Sequence, residues 1–187
     1  IVNLKSNTKT LSIGSGNGIS ELRLIANNFN IVCSDLEIPQ CYEASKKLFG
    51  NFDYLKLNIL KDSVNDEFDS IFSISVCYVF SDSNLEKFFI NTHKMLKKNG
   101  ILILDHGSCE DNLVSFFFHE IYLTIEAYII YYLSKLFNKK IGFKFENHGY
   151  RRKNQEIIKI AEKIGFEFID INEYDYLSEL QRSILIR

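Results

Sequence analysis

The chain has 187 residues, 46% of them hydrophobic, which suits one domain with a sizeable core. Lys and Arg (22) nearly balance Asp and Glu (24), for a net charge of -2, so no global basic field recruits nucleic acid and no nucleic-acid partner is expected. Cys33, Cys41, Cys77 and Cys109 show no CxxC spacing, which argues against a metal site and a disulfide framework and for reduced thiols in a cytoplasmic protein.

The opening residues, IVNLKSNTKT, lack the apolar stretch of a signal peptide, and a start at Ile1 leads us to expect a trimmed end. Beyond them, apolar runs alternate with segments at helical spacing, the pattern of parallel strands joined by helices. A first strand is expected at 10–13 and a helix over 19–29, with Leu22, Ile25, Ala26 and Phe29 on one face. A second strand at 31–34 ends at Asp35, and a helix over 41–49 leads to a third strand at 54–57 that ends at Asn58. The fourth, at 70–76, reads SIFSISV, the near-continuous apolar run of a strand buried on both faces. A helix over 83–98 follows, with Lys97, Lys98 and then Asn99-Gly100 as its stop, and a fifth strand at 101–104 ends at Asp105. Near the C-terminus a helix over 153–164 stops at Gly165, a strand covers 166–171, and SILIR closes the chain in a hairpin-like antiparallel pairing.

Residues 113–137, LVSFFFHEIYLTIEAYIIYYLSKLF, have the length of a membrane span, but His119, Glu120, Glu126 and Lys135 interrupt them, and carboxylates at mid-span are costly. No span is expected. Ser115, His119 and Glu126 share one narrow side of the helical wheel while aromatics fill most of the rest, so this helix must bury two faces. It reads as a core helix, a homodimer contact, an insertion over a substrate pocket, or a surface that touches a membrane. The expected fold is therefore α/β, a doubly wound, mostly parallel Rossmann-like sheet of about seven strands with a C-terminal antiparallel strand. It forms a single domain over 1–187, with a helical insertion at about 108–150.

Ligands of open parallel sheets bind beyond the carboxyl ends of the strands at the switch point, and LSIGSGNG, residues 11–18, stands there. Glycine admits close backbone approach and positive φ, and the following helix N-terminus offers unpaired N–H groups. A dinucleotide fingerprint, GxGxxG, would place its third glycine at position 19, but that residue is Ile19 and the glycine is Gly18, giving GxGxG.

LSIGSGNG resembles motif I of the class I S-adenosylmethionine-dependent methyltransferases. The similarity extends through most of the chain: the acid in IVCSDLEI, the polar residue in YLKLNIL, the fourth strand in FDSIFSISVCYVF, and KMLKKNGILILDHG leading into the fifth. The resemblance implies S-adenosyl-L-methionine as cofactor, with Gly14, Ser15, Gly16 and Gly18 close to its methionyl part. It implies that Asp35, 21 residues after Gly14, accepts from both ribose hydroxyls, a task suited to a group that only accepts. By itself Asp35 also reads as a helix N-cap. Asn58 and Ile59 match the pair that meets adenine, through a side chain on the exocyclic amine and a backbone N–H on a ring nitrogen. The family often has Asp where this chain has Asn58, which alone reads as a turn residue. Ser75 and Val76 match the strand end beside the cofactor. Ser12 departs further: the family commonly has an acid there that organises the glycine loop and reaches the cofactor's amino group. Its absence implies looser binding or a transfer of that task to another residue.

A sulfonium methyl is already electrophilic, so alignment does most of the work, roughly 7 to 11 kcal/mol, and a general base adds about 100- to 10,000-fold where the acceptor must lose a proton. The candidates are Tyr78 in SVCYVF, Asp105 and His106 in LDHG, and Tyr150 in HGYRRK. His106 is preferred because an unperturbed pKa of about 6.5 suits transfer at neutral pH; it also reads as a loop hydrogen-bonder. His93 reads as structural, and His148 as either. Arg151 and Arg152 begin the late helix, where the dipole disfavours cations, so either is a candidate for holding an acceptor carboxylate or phosphate, Arg151 first, against a solvated surface charge. Neither an NPPY-type motif nor a Pro-Cys pair is present, so the patterns of DNA-methylating enzymes are missing and a partly apolar small-molecule acceptor is expected. Two alternatives stand: a non-catalytic binding or assembly module with 113–137 as its interface, and a nicotinamide-dependent oxidoreductase, which Ile19 speaks against. Many family members carry an N-terminal helix over the cofactor, whereas about ten residues precede the first strand here.

Overall fold

The structure, a computed structural model, describes residues 7–62, 64, 67–105, 125, 128–129, 132, 135, 150, 152–176 and 179–186. Five apolar runs form parallel strands: β1 (Lys9–Ile13), β2 (Asn30–Asp35), β3 (Asp53–Lys56), β4 (Phe68–Ile74) and β5 (Leu96–Asp105). Two further strands, β6 (Phe168–Tyr176) and β7 (Glu179–Ile186), form an antiparallel pair, and β7 lies antiparallel beside β5. The spatial order is β3-β2-β1-β4-β5-β7-β6.

Side-chain alternation sorts these strands onto two faces. Leu11, Ile13, Val32 and Ile71 look toward α3 (Asp82–Met95) and α4 (Asn154–Ile164), where they meet Leu85, Phe88, Phe89 and Ile157. On the other face Ile31, Cys33, Tyr54 and Phe72 pack with Leu22 of α1 (Ile19–Ala26) and with Phe52, beyond α2 (Tyr42–Phe49). Helices on both faces explain why β4 reads as an unbroken apolar run, since each of its sides has a partner. Because β1 lies between β2 and β4, the connections leave it in opposite directions and a crevice opens at its C-terminal end.

Three local expectations are corrected. The first helix ends at Ala26, because Asn27 caps it and Asn28 turns left-handed at φ 64°, a conformation that asparagine tolerates. Lys97 to Gly100 do not end a helix. The helix closes at Met95, Leu96 pairs with Phe68 and Ile101 with Ser70, so the residues between them bulge at the start of β5. Asn99 has φ 64° there, and a Cβ on Gly100 would lie 2.9 Å from the Lys97 carbonyl oxygen, so the tight turn requires glycine. Finally, Arg152 precedes α4 rather than beginning it; Lys153 is the N-cap, and its N–H donates to Glu156 Oε2 at 3.1 Å.

The insertion expected at 108–150 lies outside the described residues except at six positions. Ile125, Tyr128, Ile129, Tyr132 and Lys135 are helical, and Tyr150 is described next to the α4 entry. His106, Cys109, His119, His148 and Arg151 also lie outside. Among the described residues no helix is long and apolar enough to cross a membrane.

Candidate functional site

The turn after β1 is built from glycines that need their conformations. Gly14, Gly16 and Gly18 have φ of 77°, 55° and 72°. A Cβ on Gly14 would also collide with Val76 Cγ2 from the loop after β4. The loop is held from beneath by β2: the N–H groups of Gly14 and Ser15 both donate to the Ser34 carbonyl, at 2.8 and 2.9 Å. Tyr54 of β3 donates its hydroxyl to the Gly16 carbonyl at 2.7 Å. Burial and the nearby charge of Asp35 push the Tyr54 phenol well above its usual range, so it remains a donor.

Asp35 ends β2 at the rim of this loop. Its Oδ2 accepts from the Gly16 N–H at 2.8 Å and its Oδ1 from the Leu36 N–H at 2.6 Å. Each carboxylate oxygen can accept again, so both remain available to a ligand. Beside it runs a cleft of about 310 Å³, bordered by Gly14, Asp35, Asn58, Ile59, Ser75 and Val76. A larger cavity, about 390 Å³, opens at the opposite end of β2 and β3 by Asn30 and Asp53, but it holds none of the expected site residues.

Asn58 and Ile59, the expected adenine pair, occupy one turn after β3. Asn58 Oδ1 accepts from the Leu60 N–H at 3.1 Å, and Asp62 Oδ2 accepts from the Asn58 N–H at 2.6 Å. Asn58 is thus a turn former whose amide oxygen is already engaged. Ile59 is 5% exposed and its carbonyl takes the Asn91 amide at 2.7 Å, while among the described residues its own N–H has no partner. Its N–H is an open donor at the cleft.

At the end of β4, Ser75 sits at φ 54°, a sparsely populated conformation for a non-glycine residue, held by its N–H to the Asp105 carbonyl at 2.8 Å. The loop beyond it is pinned by the segment that enters α4. The Tyr150 N–H donates to the Tyr78 carbonyl. Arg152 donates from Nε and Nη2 to Asp82 Oδ1, at 3.0 and 2.7 Å, and from Nη2 to the Phe80 carbonyl at 2.7 Å. Its guanidinium also lies 5.1 Å over the Tyr150 ring. Tyr78 and Tyr150, far apart in sequence, are therefore neighbours at the loop after β4, both exposed. Asp105 is buried at the end of β5, and burial pushes the Cys77 thiol up to about 12, with Arg152 opposing the rise.

Sequence reasoning missed three residues that shape this site. Tyr54 stands in the sequence only as the start of a strand, and Arg152 as an acceptor-anion contact or a surface charge, although it is 9% exposed and bound to Asp82. Glu21, in the first turn of α1, is 4% exposed and its Oε1 accepts from Ser12 Oγ at 2.6 Å. Its signal was the i, i+4 spacing to Ile25, which puts it on the helix's apolar face.

Residues 11–104 match the methyltransferase domain family. Similar curated proteins include a glycine/sarcosine N-methyltransferase of Parasynechococcus marenigrum, 26% identical over 51% of this chain and 36% of that protein. A ubiquinone biosynthesis O-methyltransferase of Rickettsia akari is 26% identical over 53% of this chain and 40% of that protein. The chain thus spans well under half the length of these relatives. Among solved structures, the 1,6-didemethyltoxoflavin-N1-methyltransferase of Burkholderia thailandensis, crystallised with 1,6-didemethyltoxoflavin and S-adenosylhomocysteine, superposes with a TM-score of 0.69. It is 10% identical, over 96% of this chain and 70% of that one, so it supports the fold alone. With its family match running from β1 through β5, the strands that carry the glycine loop, Asp35 and the cleft, the chain belongs to the class I S-adenosylmethionine-dependent methyltransferases.

Proposed function

We propose that this domain binds S-adenosylmethionine across the C-terminal ends of β1, β2 and β3 and transfers its methyl group to a small-molecule acceptor beside the loop after β4. The observation that carries this reading is the placement on one cleft of the glycine turn, whose Gly14, Gly16 and Gly18 all have positive φ, and the acceptor-only carboxylate of Asp35. The cofactor, when bound, supplies a methyl on a positively charged sulfur. Gly14, Ser15, Gly16 and Gly18 keep the loop low enough for its amino-acid part. Asp35 takes the two ribose hydroxyls on its remaining lone pairs. The Ile59 N–H donates to an adenine ring nitrogen, with Asn58 holding the turn that presents it. Ser75 and Val76 fix the wall on the opposite side.

On the acceptor side, His106 follows Asp105 at the end of β5 and is our first choice of base where a proton must leave, with Tyr78 and Tyr150 as alternatives. Arg151 holds an acceptor anion, since its neighbour Arg152 is already committed to Asp82. The insertion at about 108–150 closes the acceptor pocket, within a single domain spanning 1–187, and 113–137 also offers a homodimer contact. The small-molecule class is supported by the activities named for the relatives, and the cytoplasm by the free Cys33, Cys41 and Cys77.

Calorimetric titration with S-adenosylmethionine, S-adenosylhomocysteine and NAD tests the reading. Binding of the first two without NAD is expected. Preferential NAD binding would overturn it in favour of an oxidoreductase, and a folded chain that binds none of the three is a non-catalytic module.

A further inference from the structure

Glu21 is a carboxylate without a cation. It lies in the first turn of α1 directly after the glycine loop, is 4% exposed, and accepts a single hydrogen bond, from Ser12 Oγ at 2.6 Å. Among the described residues no Lys, Arg or His pairs with it and no second donor reaches its other oxygen. Gly18, the N-cap of α1, has no side chain to share the load. The partial positive charge of the helix N-terminus offsets only part of the cost of burying such a group.

Its neighbours lie on β1 and β2, directly beneath the glycine loop. The backbone of Ser12 is tied to that loop, because its carbonyl accepts from Ser15 Oγ at 3.3 Å and from Ser34 Oγ at 2.7 Å. Next to Glu21 on β2 is the fully buried Cys33, whose Sγ lies 4.0 Å from where a Cβ on Gly18 would stand. The charge of Glu21 adds to burial in pushing that thiol up to about 12, so its negative charge acts at the underside of the loop.

We propose that Glu21 is a positioning residue for the cofactor: its carboxylate, relayed through Ser12, braces the glycine loop and supplies the negative charge that pairs with the ammonium of the cofactor's amino-acid part. The missing positive charge then arrives with the ligand, and the Ser12 hydroxyl and Glu21 together do what a carboxylate on β1 would do alone. This inference rests on the reading of the cleft as an S-adenosylmethionine site.

The test uses two ligands that share adenine and ribose but differ in the amino-acid part. S-Adenosylhomocysteine carries it, ammonium and carboxylate together, and 5′-methylthioadenosine ends in a methyl group instead. Glu21→Gln should weaken S-adenosylhomocysteine binding about tenfold or more while 5′-methylthioadenosine binds as before. Moving the acid to the strand, in Ser12→Asp with Glu21→Gln, should restore most of the lost affinity. An equal loss for both ligands, or no loss for either, overturns the proposal, as does a folded double variant with no recovery. Ser12→Ala keeps the carboxylate but cuts the relay; it should show a smaller loss with the same selectivity, and provides the test should Glu21→Gln fail to fold. A wild-type chain that binds neither ligand would instead sink the cofactor reading itself.

Discussion

Asp35 and Gly14 serve the site in different ways, and their variants should fail differently. Asp35→Ala removes an acceptor whose charge-assisted bonds are worth about 1.5 to 3 kcal/mol each, so affinity for S-adenosylhomocysteine should fall about 100-fold in calorimetry. Its melting temperature should move little, because the Gly16 and Leu36 N–H groups it now holds are solvent-accessible. Gly14→Ala must both enter a left-handed φ and displace Val76, so it should lose stability, by about 1 to 3 kcal/mol, as well as binding. Urea denaturation separates the two cases. Asp35 and the glycines were legible in the sequence because their chemistry is local: spacing alone places them at a strand end. The turn role of Asn58 was legible for the same reason, since its amide oxygen accepts from Leu60 two residues on. Glu21 and Arg152 were not, since each depends on a neighbour that spacing does not reveal: Glu21 meets a serine on another element, and Arg152 reaches 70 residues back to Asp82.

At the scale of elements, the loop after β4 and the entry to α4 act as one unit, closed by Arg152. Removing its side chain leaves the buried Phe80 carbonyl without a donor, so Arg152→Ala should cost about 1 to 3 kcal/mol in denaturant unfolding. Asp82→Asn should cost less, because the Asp82 side chain is 84% exposed and screened by water. The end of α3 shows how far local signals reach. Lys-Lys-Asn-Gly carries every mark of a helix stop, yet the residues bulge into β5 because Leu96 finds Phe68 on β4 and Lys97 finds Asp69, at 2.9 Å. That pairing is tertiary and overrides the local preference. Both ends of α4 were readable, from its apolar spacing and Gly165, whereas the task of Arg152 just before it was not, because that cation is held by another element.

For the molecule as a whole, alternating runs foretold the five parallel strands, since a strand covered on both faces has few ways to read other than apolar. The placement of β7 between β5 and β6 was not foretold, because strand order follows from pairing across the sheet. Burial in this core also sets a pH dependence. The Cys77 thiol, with an ordinary value of 9.0, is pushed up to about 12 in the fold. Between those values the unfolded chain has released a proton that the folded chain still holds. The stabilisation is therefore complete below pH 9 and declines as pH rises, by about 1.4 kcal/mol per unit at most. Cys33 adds to the decline in the same sense. Chemical denaturation across pH 8 to 10.5 should show the fall, and Cys77→Ala should make it shallower.

The central claim is the location of the cofactor, and a crystal structure of the chain with S-adenosylhomocysteine addresses it most directly. Ligand density is expected above the C-terminal ends of β1, β2 and β3, with ribose on Asp35 and adenine at the Ile59 N–H. Density in the cavity beside Asn30 and Asp53, or a ribose turned away from Asp35, would contradict it.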